Sequence, residues 1–146
     1  MREILFRGKR IDNGEWAFGF FTESPSGNFY ITETVCGCAS PKRVDSETVG
    51  QYTGLNDKNG KKIFEGDICR VCLDPEICVG KIIWDDKIAS YNILFYDGKC
   101  VLPLDLWLAR NNPVWIEVIG NIHDNPEPER GDRPRITTPC GTCLRR

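Results

Sequence analysis

Cysteine is the residue type in this chain whose number and spacing point most directly to chemistry. Of the eight cysteines, two pairs have the Cys-x-x-Cys spacing of metal ligands, Cys69/Cys72 and Cys140/Cys143. The first pair lies in a strand-like apolar run, where positions three apart face opposite sides, so we interpret Cys69 and Cys72 as small apolar residues. In a reducing cytosol the remaining cysteines are free thiols or metal ligands.

The second pair is better placed for a metal ion. Gly141 allows the tight turn that thiolate ligands of structural zinc use. Cys36 and Cys38 project to the same side of an extended chain and could supply two more thiolates. A structural tetrathiolate zinc site of Cys36, Cys38, Cys140 and Cys143 would tie the tail to the body. The alternative is a loose tail with two free thiols, and no other cofactor is indicated.

Groups for nucleophilic or acid-base catalysis are sparse. His123 is the single histidine and follows a predicted strand in a polar turn, so we interpret it as a surface or capping residue. Asp85 and Asp86 are adjacent, and strand neighbours point to opposite faces, so solvation of a loop is their simpler role. No phosphate-binding or dinucleotide-binding glycine motif is present. We therefore expect a non-enzymatic protein, with an enzyme of unknown chemistry as the alternative.

Aromatic residues indicate a different kind of site. Trp84, Tyr91, Tyr96 and Trp107 lie in or next to predicted loops that carry acidic residues. Such a cluster could hold a proline-rich peptide or a cationic side chain. Because alternation assigns Tyr91 to the core, the predicted binding residues are Trp84, Tyr96 and Trp107. The alternative is that these aromatic rings are core residues.

The charge pattern gives no strong pull towards nucleic acid. The formal net charge is −2, and charged residues of both signs make up 27% of the chain. The basic run at Arg7–Arg10 and the arginines of the tail are diluted by nearby acids, so nucleic-acid binding is possible but not indicated by charge. We expect a protein partner or self-association into a homo-oligomer through β-edges.

No segment is typical of a membrane anchor or a signal peptide. The N-terminus lacks a long apolar run after its basic residues, and no stretch approaches the roughly 20 apolar residues that span a bilayer. We expect a cytoplasmic protein that does not bind membranes.

Short β-prone runs separated by turns predict an all-β protein. In residues 1–62, Trp16, Phe18 and Phe20 alternate on one face of a strand, and Phe29 and Ile31 share a face of the next. Residues 36–43 are predicted to form a loop. Residues 46–52 are predicted to be irregular, with Asp45 as a possible helix cap.

The C-terminal half has a more regular pattern. Strands are predicted at 68–73, 77–84, 90–96, 99–102 and 114–119, with one helical turn at 104–110. This order is that of an SH3-like barrel. The predicted organisation is a β-rich segment over residues 1–62, a barrel over 63–123, and an extended or disordered tail over 124–146.

Four segments of the sequence are distinctive: FRGKR at Phe6–Arg10, WAFGF at Trp16–Phe20, a long run at Val44–Asp67 and VIGNIHDNPE at Val118–Glu127. Together they resemble the YopX family of phage and prophage proteins. The resemblance implies an all-β fold with an SH3-type barrel. It also implies a phage-encoded accessory protein of unknown biochemical role, with no catalytic residues to transfer. The cysteines of the 36–38 loop and of the tail depart from the family pattern.

Overall fold

The computed structural model describes residues 1–73, 76–96, 101–104 and 116–125 of the chain. Within these ranges the secondary structure is eleven strands and one short 3-10 helix, so the all-β prediction is confirmed. The chain divides into two compact units, Met1–Gly54 and Leu55–Arg146. The described ranges contain no helix long and apolar enough to cross a membrane.

The first unit is an antiparallel sheet with the strand order β4-β3-β2-β1-β5. β5 runs through the unit boundary into a hairpin with β6 of the second unit. The elements are β1 (Phe6–Lys9), β2 (Trp16–Glu23), β3 (Phe29–Val35), β4 (Cys38–Val44), the 3-10 helix (Ser46–Thr48) and β5 (Gly50–Asn56).

Alternating side chains build the core of this first unit. Ala17, Ile31 and Val44 are almost completely buried, and phenylalanine rings pack against them. The ring centroid of Phe21 lies 5.7 Å from that of Phe6 and 5.0 Å from that of Phe29. Edge-to-face packing of this kind adds to the stabilisation from burial. The predicted alternation of the aromatic residues on β2 and of Phe29 with Ile31 on β3 is confirmed.

The predicted loop at residues 36–43 is wrong, because Cys38–Val44 forms strand β4. The turn consists of Cys36 and Gly37, whose φ angles of 51° and 81° are those of a tight two-residue hairpin turn. Pro41 is compatible with this strand. It lies on the edge strand of the order above, where a missing N–H costs no ladder hydrogen bond.

The prediction for residues 46–52 is correct in part. Asp45 caps the 3-10 helix, since its Oδ1 accepts a hydrogen bond from the Glu47 amide at 3.1 Å. Irregular structure does not continue to residue 52, because β5 begins at Gly50 and pairs with β1.

The second unit contains a five-stranded antiparallel sheet in the order β10-β9-β8-β7-β11. Its five strands confirm the five β-runs predicted in this half, with ends shifted by up to two residues. They are β7 (Asp67–Leu73), β8 (Glu76–Asp85), β9 (Ser90–Phe95), β10 (Val101–Pro103) and β11 (Ile116–Asn121). β6 (Lys62–Phe64) is not part of this sheet and pairs with β5. The sheet is open between β10 and β11 over the described residues, so the closed SH3-like barrel predicted for residues 63–123 is not observed. The predicted helical turn beyond Leu104 and the tail beyond Asn125 lie outside the described residues.

The core of the second unit is larger than that of the first. Nine residues of the described ranges form one buried cluster: Ile63, Cys69, Val71, Cys78, Ile82, Ile93, Phe95, Leu104 and Ile116. β-Branched and aromatic side chains dominate this cluster, as the strand propensities of these residues predict. Cys69 is completely buried, which confirms its interpretation as a small apolar residue.

Candidate functional site

One side of β1–β4 faces away from the core of the first unit, and we call it the outer face. Residues paired across antiparallel strands project to the same side of a sheet. The pairs Arg7–Phe18, Phe20–Thr32 and Tyr30–Arg43 therefore connect the four strands across this face. Its positions are Arg7, Lys9, Trp16, Phe18, Phe20, Thr22, Tyr30, Thr32, Thr34, Ala39, Pro41 and Arg43.

The composition of the outer face differs from that of the whole chain. Of its twelve positions, four are aromatic, three are cationic and none is acidic. The whole chain carries 21 acidic and 19 basic residues. Glu23 and Glu33 occupy inward-facing strand positions, although Glu33 Oε1 reaches the edge of β2 and accepts the Phe18 amide at 3.4 Å. The outer face therefore presents apolar rings together with positive charge.

Two rings on the outer face are exposed. Phe18 is 46% exposed and Phe20 is 62% exposed, and both lie on β2. The residues that flank them on β2, Ala17 and Phe21, face the core. β2 is thus apolar on both sides, although one side of a strand normally suffices to build a core. Two exposed rings so close together are typical of an interaction surface rather than of scattered surface apolar residues.

The aromatic row of β2 is joined to the basic residues of β1. The guanidinium carbon of Arg7 lies 4.6 Å from the centroid of the Trp16 ring, and Lys9 Nζ lies 5.7 Å from the same centroid. Both distances are within the range of cation–π attraction. Arg7 itself is buried, whereas Lys9 is half-buried, so Lys9 is the more accessible of the two charges.

The two ends of the outer face meet at an open depression of about 510 Å³. A β-bridge between Arg10 and Val44 brings the end of β1 against the end of β4. The Asp45 amide donates to the Lys9 carbonyl at 2.8 Å in the same place. Lys9 and Arg43, from opposite edges of the outer face, consequently line the same depression.

The arginines that line this depression differ in their partners. Arg10 donates from Nε and Nη2 to the Asp12 carboxylate. This side-chain hydrogen bond raises the pKa of Arg10 and lowers the pKa of Asp12, despite opposing desolvation. Arg43 donates instead to Asn28 Oδ1 at 2.7 Å, and because this partner is neutral the hydrogen bond does not compensate the charge of Arg43. Arg43 is also exposed, so it offers a positive charge to solvent.

The structure does not bring the predicted binding residues Trp84 and Tyr96 together. Trp84 is 42% exposed, stacks edge-to-face on Tyr91 at 4.9 Å, and donates to Asp86. Tyr96 is half-buried and its amide bonds to Val79, near the other end of the β8–β9 hairpin. By alternation, its side chain lies on the side of the sheet opposite Trp84. Trp107 lies outside the described residues.

The zinc hypothesis stays a prediction. Cys36 and Cys38 are exposed thiols at the tip of the β3–β4 hairpin. Cys140 and Cys143 lie outside the described residues. Within the part of the chain that the structure describes, no group of three or more histidine, cysteine or acidic side chains is arranged to hold a metal ion.

His123 is part of a hydrogen-bonded turn. Its amide and that of Asp124 both donate to Asn121 Oδ1, at 3.0 and 2.9 Å. Asn121 Nδ2 in turn donates to Asp124 Oδ2 at 2.8 Å. Side chains that accept bonds from the backbone two or three residues later are typical of turns. These bonds place His123 in a polar turn, and its interpretation as a surface or capping residue stays a prediction.

The long distinctive run at residues 44–67 also builds turns. Asp57 is 4% exposed, and its Oδ1 accepts the amides of Asn59 and Lys61, each at 2.9 Å. Its Oδ2 accepts the Val118 amide of β11 at 3.0 Å. One buried carboxylate thus joins the β5–β6 hairpin to a strand 61 residues later in the chain.

A second turn in the same run has the same kind of role. Asp67 is almost completely buried, and its Oδ2 accepts the Phe64 amide at 2.8 Å. Gly66 has a φ of 86°, a conformation that favours glycine, and its carbonyl accepts the Ile122 amide at 2.9 Å. The most distinctive residues of the sequence therefore hold the second unit together.

Sequence reasoning missed the outer face as a site. It placed Trp16, Phe18 and Phe20 on one face but chose other aromatic residues for binding. The available signal was the run WAFGFF, which is apolar on both sides of one strand. The alternation of Arg7 and Lys9 on β1 was a second signal, because it predicts two cations on one face.

Comparisons with known proteins agree with the resemblance noted in the sequence. The family model described as YopX protein matches residues 6–128. Among solved structures, the crystal structure of protein EF1440 from Enterococcus faecalis is similar to the chain. The two are 25% identical in sequence with a TM-score of 0.49, and the likeness covers 87% of this chain and 98% of the other. No curated protein matches. The family match spans every strand described above.

Proposed function

The chain belongs to the YopX family, and from that premise we propose that it is a non-enzymatic, phage-type accessory protein that binds a macromolecule through its outer face. The observation that carries the proposal is the exposure of Phe18 and Phe20 on a strand whose other side already fills the core. Placing two such rings in water is unfavourable unless a partner covers them. The partner would come from the phage or from the cytoplasm of its bacterial host.

Two features support binding rather than catalysis. The single histidine, His123, has its neighbours committed to turn hydrogen bonds. The open depression beside the outer face is lined by cations and by turn residues, without the histidine or a cysteine that a nucleophilic mechanism would use. The carboxylate in the lining is that of Asp45, which accepts the Glu47 amide as the cap of the 3-10 helix. Asp12, which pairs with Arg10 of the lining, has a lowered pKa and is therefore a poor general base.

The test is affinity capture from an expressing bacterial host with three forms of the tagged protein. These are the wild type, the double variant Phe18→Ser/Phe20→Ser, and the control Ile88→Ser, which removes an equally exposed apolar side chain in the second unit. Protein and nucleic acid are both recovered from the beads. We expect the captured partner to be lost with the double variant and kept with the control. Capture of the same partner by all three forms would refute the proposal.

A further inference from the structure

We infer that the outer face binds single-stranded nucleic acid, with bases stacking on Phe18 and Phe20 and phosphates contacting Lys9 and Arg43. This inference rests on the proposed function, because it takes the outer face as the binding surface. The argument depends on three properties of the face: the spacing of its rings, the sign of its charge and the positions of its cations.

The spacing of the rings suits unstacked bases. Phe18 and Phe20 are two residues apart on one strand, which separates their attachment points by about 7 Å. Each ring can then take a different base of an extended strand. Sheets that bind single-stranded RNA use aromatic residues in this way, and a ring accepts any base because every base has a π-face. Bases inside a duplex are stacked on each other and cannot reach such rings.

The charge of the outer face complements phosphate. The face has three cationic positions and no acidic position, in a chain whose net charge is −2. This local excess of positive charge is unfavourable for a basic partner and favourable for a polyanion. A cationic side chain, one of the two ligands suggested by the aromatic cluster near the acidic loops, would be repelled here.

The accessible cations line one depression, at which the two ends of the outer face meet. Lys9 pairs with Trp16 at one end of the aromatic row, and Arg43 pairs with Tyr30 of β3. A strand whose bases cover Phe18 and Phe20 can therefore place phosphates next to these bases in the depression, beside both positive charges. Arg10 contributes less, because its guanidinium is already held by Asp12.

Two phosphate contacts predict a weak dependence on salt. For single strands, the slope of log K against log salt is about −0.7 per neutralised phosphate, so two contacts give a slope of about −1.4. Stacking, which does not depend on salt in this way, is expected to supply a large part of the affinity.

The experiment measures the fluorescence anisotropy of labelled oligonucleotides of about 10 residues, a length within the site size of one small β-domain. The probes are oligo-dT, oligo-rU and a duplex of matched length, each titrated with the full-length protein at several salt concentrations. We expect both single strands to bind more tightly than the duplex. The difference between dT and rU reports whether the 2′-hydroxyl contributes.

The variants separate stacking from charge. Phe20→Ser should weaken binding about tenfold, while Phe20→Trp, which keeps a ring, should restore it. Ile88→Ser serves as the control of equal exposure. Lys9→Gln/Arg43→Gln should weaken binding and bring the salt slope close to zero. Lys87→Gln, an exposed lysine of the second unit, should change neither quantity.

The possible outcomes distinguish this inference from the proposed function. Absence of binding to either single strand at low salt, or equal binding to the duplex, overturns the inference. Equal loss with Phe20→Trp and Phe20→Ser overturns stacking. If oligonucleotides fail but a protein is captured in a manner that depends on Phe18 and Phe20, the proposed function stands with a protein partner. If neither oligonucleotide binding nor protein capture depends on Phe18 and Phe20, the inference and the proposed function are both wrong.

Discussion

The first unit exposes two aromatic rings on one strand, whereas the second unit has the larger buried core, with its exposed apolar side chains scattered singly over strands and turns, and adds buried carboxylates to its turns. Among the described residues, three form the buried cluster of the first unit and nine form that of the second. The first unit also has Phe18 and Phe20 on its surface. Of the carboxylates, Asp57 and Asp67 are buried, and both belong to the second unit. This difference is the basis for proposing that the first unit carries the binding surface, while buried side chains and carboxylates stabilise the second.

The largest expected loss of stability is that of the variant Asp57→Ala, which tests whether a buried carboxylate stabilises the second unit. Asp57→Ala removes an acceptor from three amides, two in the β5–β6 turn and one in β11. We expect the second unit to lose about 3–4 kcal/mol of stability, because hydrogen bonds to a charged acceptor are strong and buried amides without a partner are costly. Urea denaturation followed by circular dichroism measures the change.

The matched variant is Asp57→Asn. Its single carbonyl oxygen can still accept the amides of Asn59 and Lys61, but its NH2 group is a donor and cannot accept the Val118 amide. Asp57→Asn should therefore lose about half as much stability as Asp57→Ala. An Asp57→Ala protein as stable as the wild type would show that the buried carboxylate does not hold the second unit together.

Gly19 provides the corresponding test in the first unit. A Cβ at Gly19 would overlap the backbone carbonyl of Thr32 on β3, so Gly19→Ala must push two paired strands apart. We expect a loss of about 2 kcal/mol, in the range of other overpacked sites. Gly14→Ala is the control, because its Cβ would meet no atom within 4 Å and only the φ of 71° is unfavourable. The control should cost about 1 kcal/mol, and equal unfolding midpoints for the two variants would contradict the overlap.

The exposed rings should contribute little to stability. Phe18→Ser/Phe20→Ser is expected to change the unfolding free energy by no more than about 1 kcal/mol in total, as substitutions on a surface usually do. Ile31→Ala, which empties a site on the core side of the neighbouring strand, should cost about 3 kcal/mol. Thermal unfolding of the two proteins side by side makes the comparison. A double variant as unstable as Ile31→Ala would mean that the rings serve the fold rather than a partner.

The strands were predictable from the sequence, but the contacts that give them their roles were not. Alternation on β2 is a local property of the sequence, and it is found in the structure. The hairpin at Cys36–Gly37 was missed because a cysteine with a positive φ gives no ordinary turn signal.

The candidate site was predictable only in part, for a different reason. Alternation put Trp16, Phe18 and Phe20 on one side of β2, but it cannot say which side of a sheet faces the core. That choice depends on pairing, since Arg7 and Arg43 reach the same face only through the register of four strands. The link from Asp57 to Val118 is equally non-local. Closure of a barrel depends on similar long-range pairing, and the described sheets are open.

The smallest expected effect concerns the ion pair of Arg10 and Asp12. Arg10 and Arg43 line the same depression, but only Arg10 bonds to an acidic side chain among the described residues. The hydrogen bond from Arg10 lowers the pKa of Asp12, so the pair favours the folded state above the ordinary pKa of an aspartate, about 3.9. That contribution is lost as the pH falls through the lowered value. Because both groups are at the surface, the change in stability should be slight.

In Arg10→Gln the pKa of Asp12 should rise towards its ordinary value in a carboxyl NMR titration. Arg43→Gln should leave it unchanged, since Arg43 bonds to Asn28. A shift of the Asp12 pKa in Arg43→Gln as large as in Arg10→Gln would show that the two arginines act as one charge cluster. Phosphate would then have no reason to prefer Arg43.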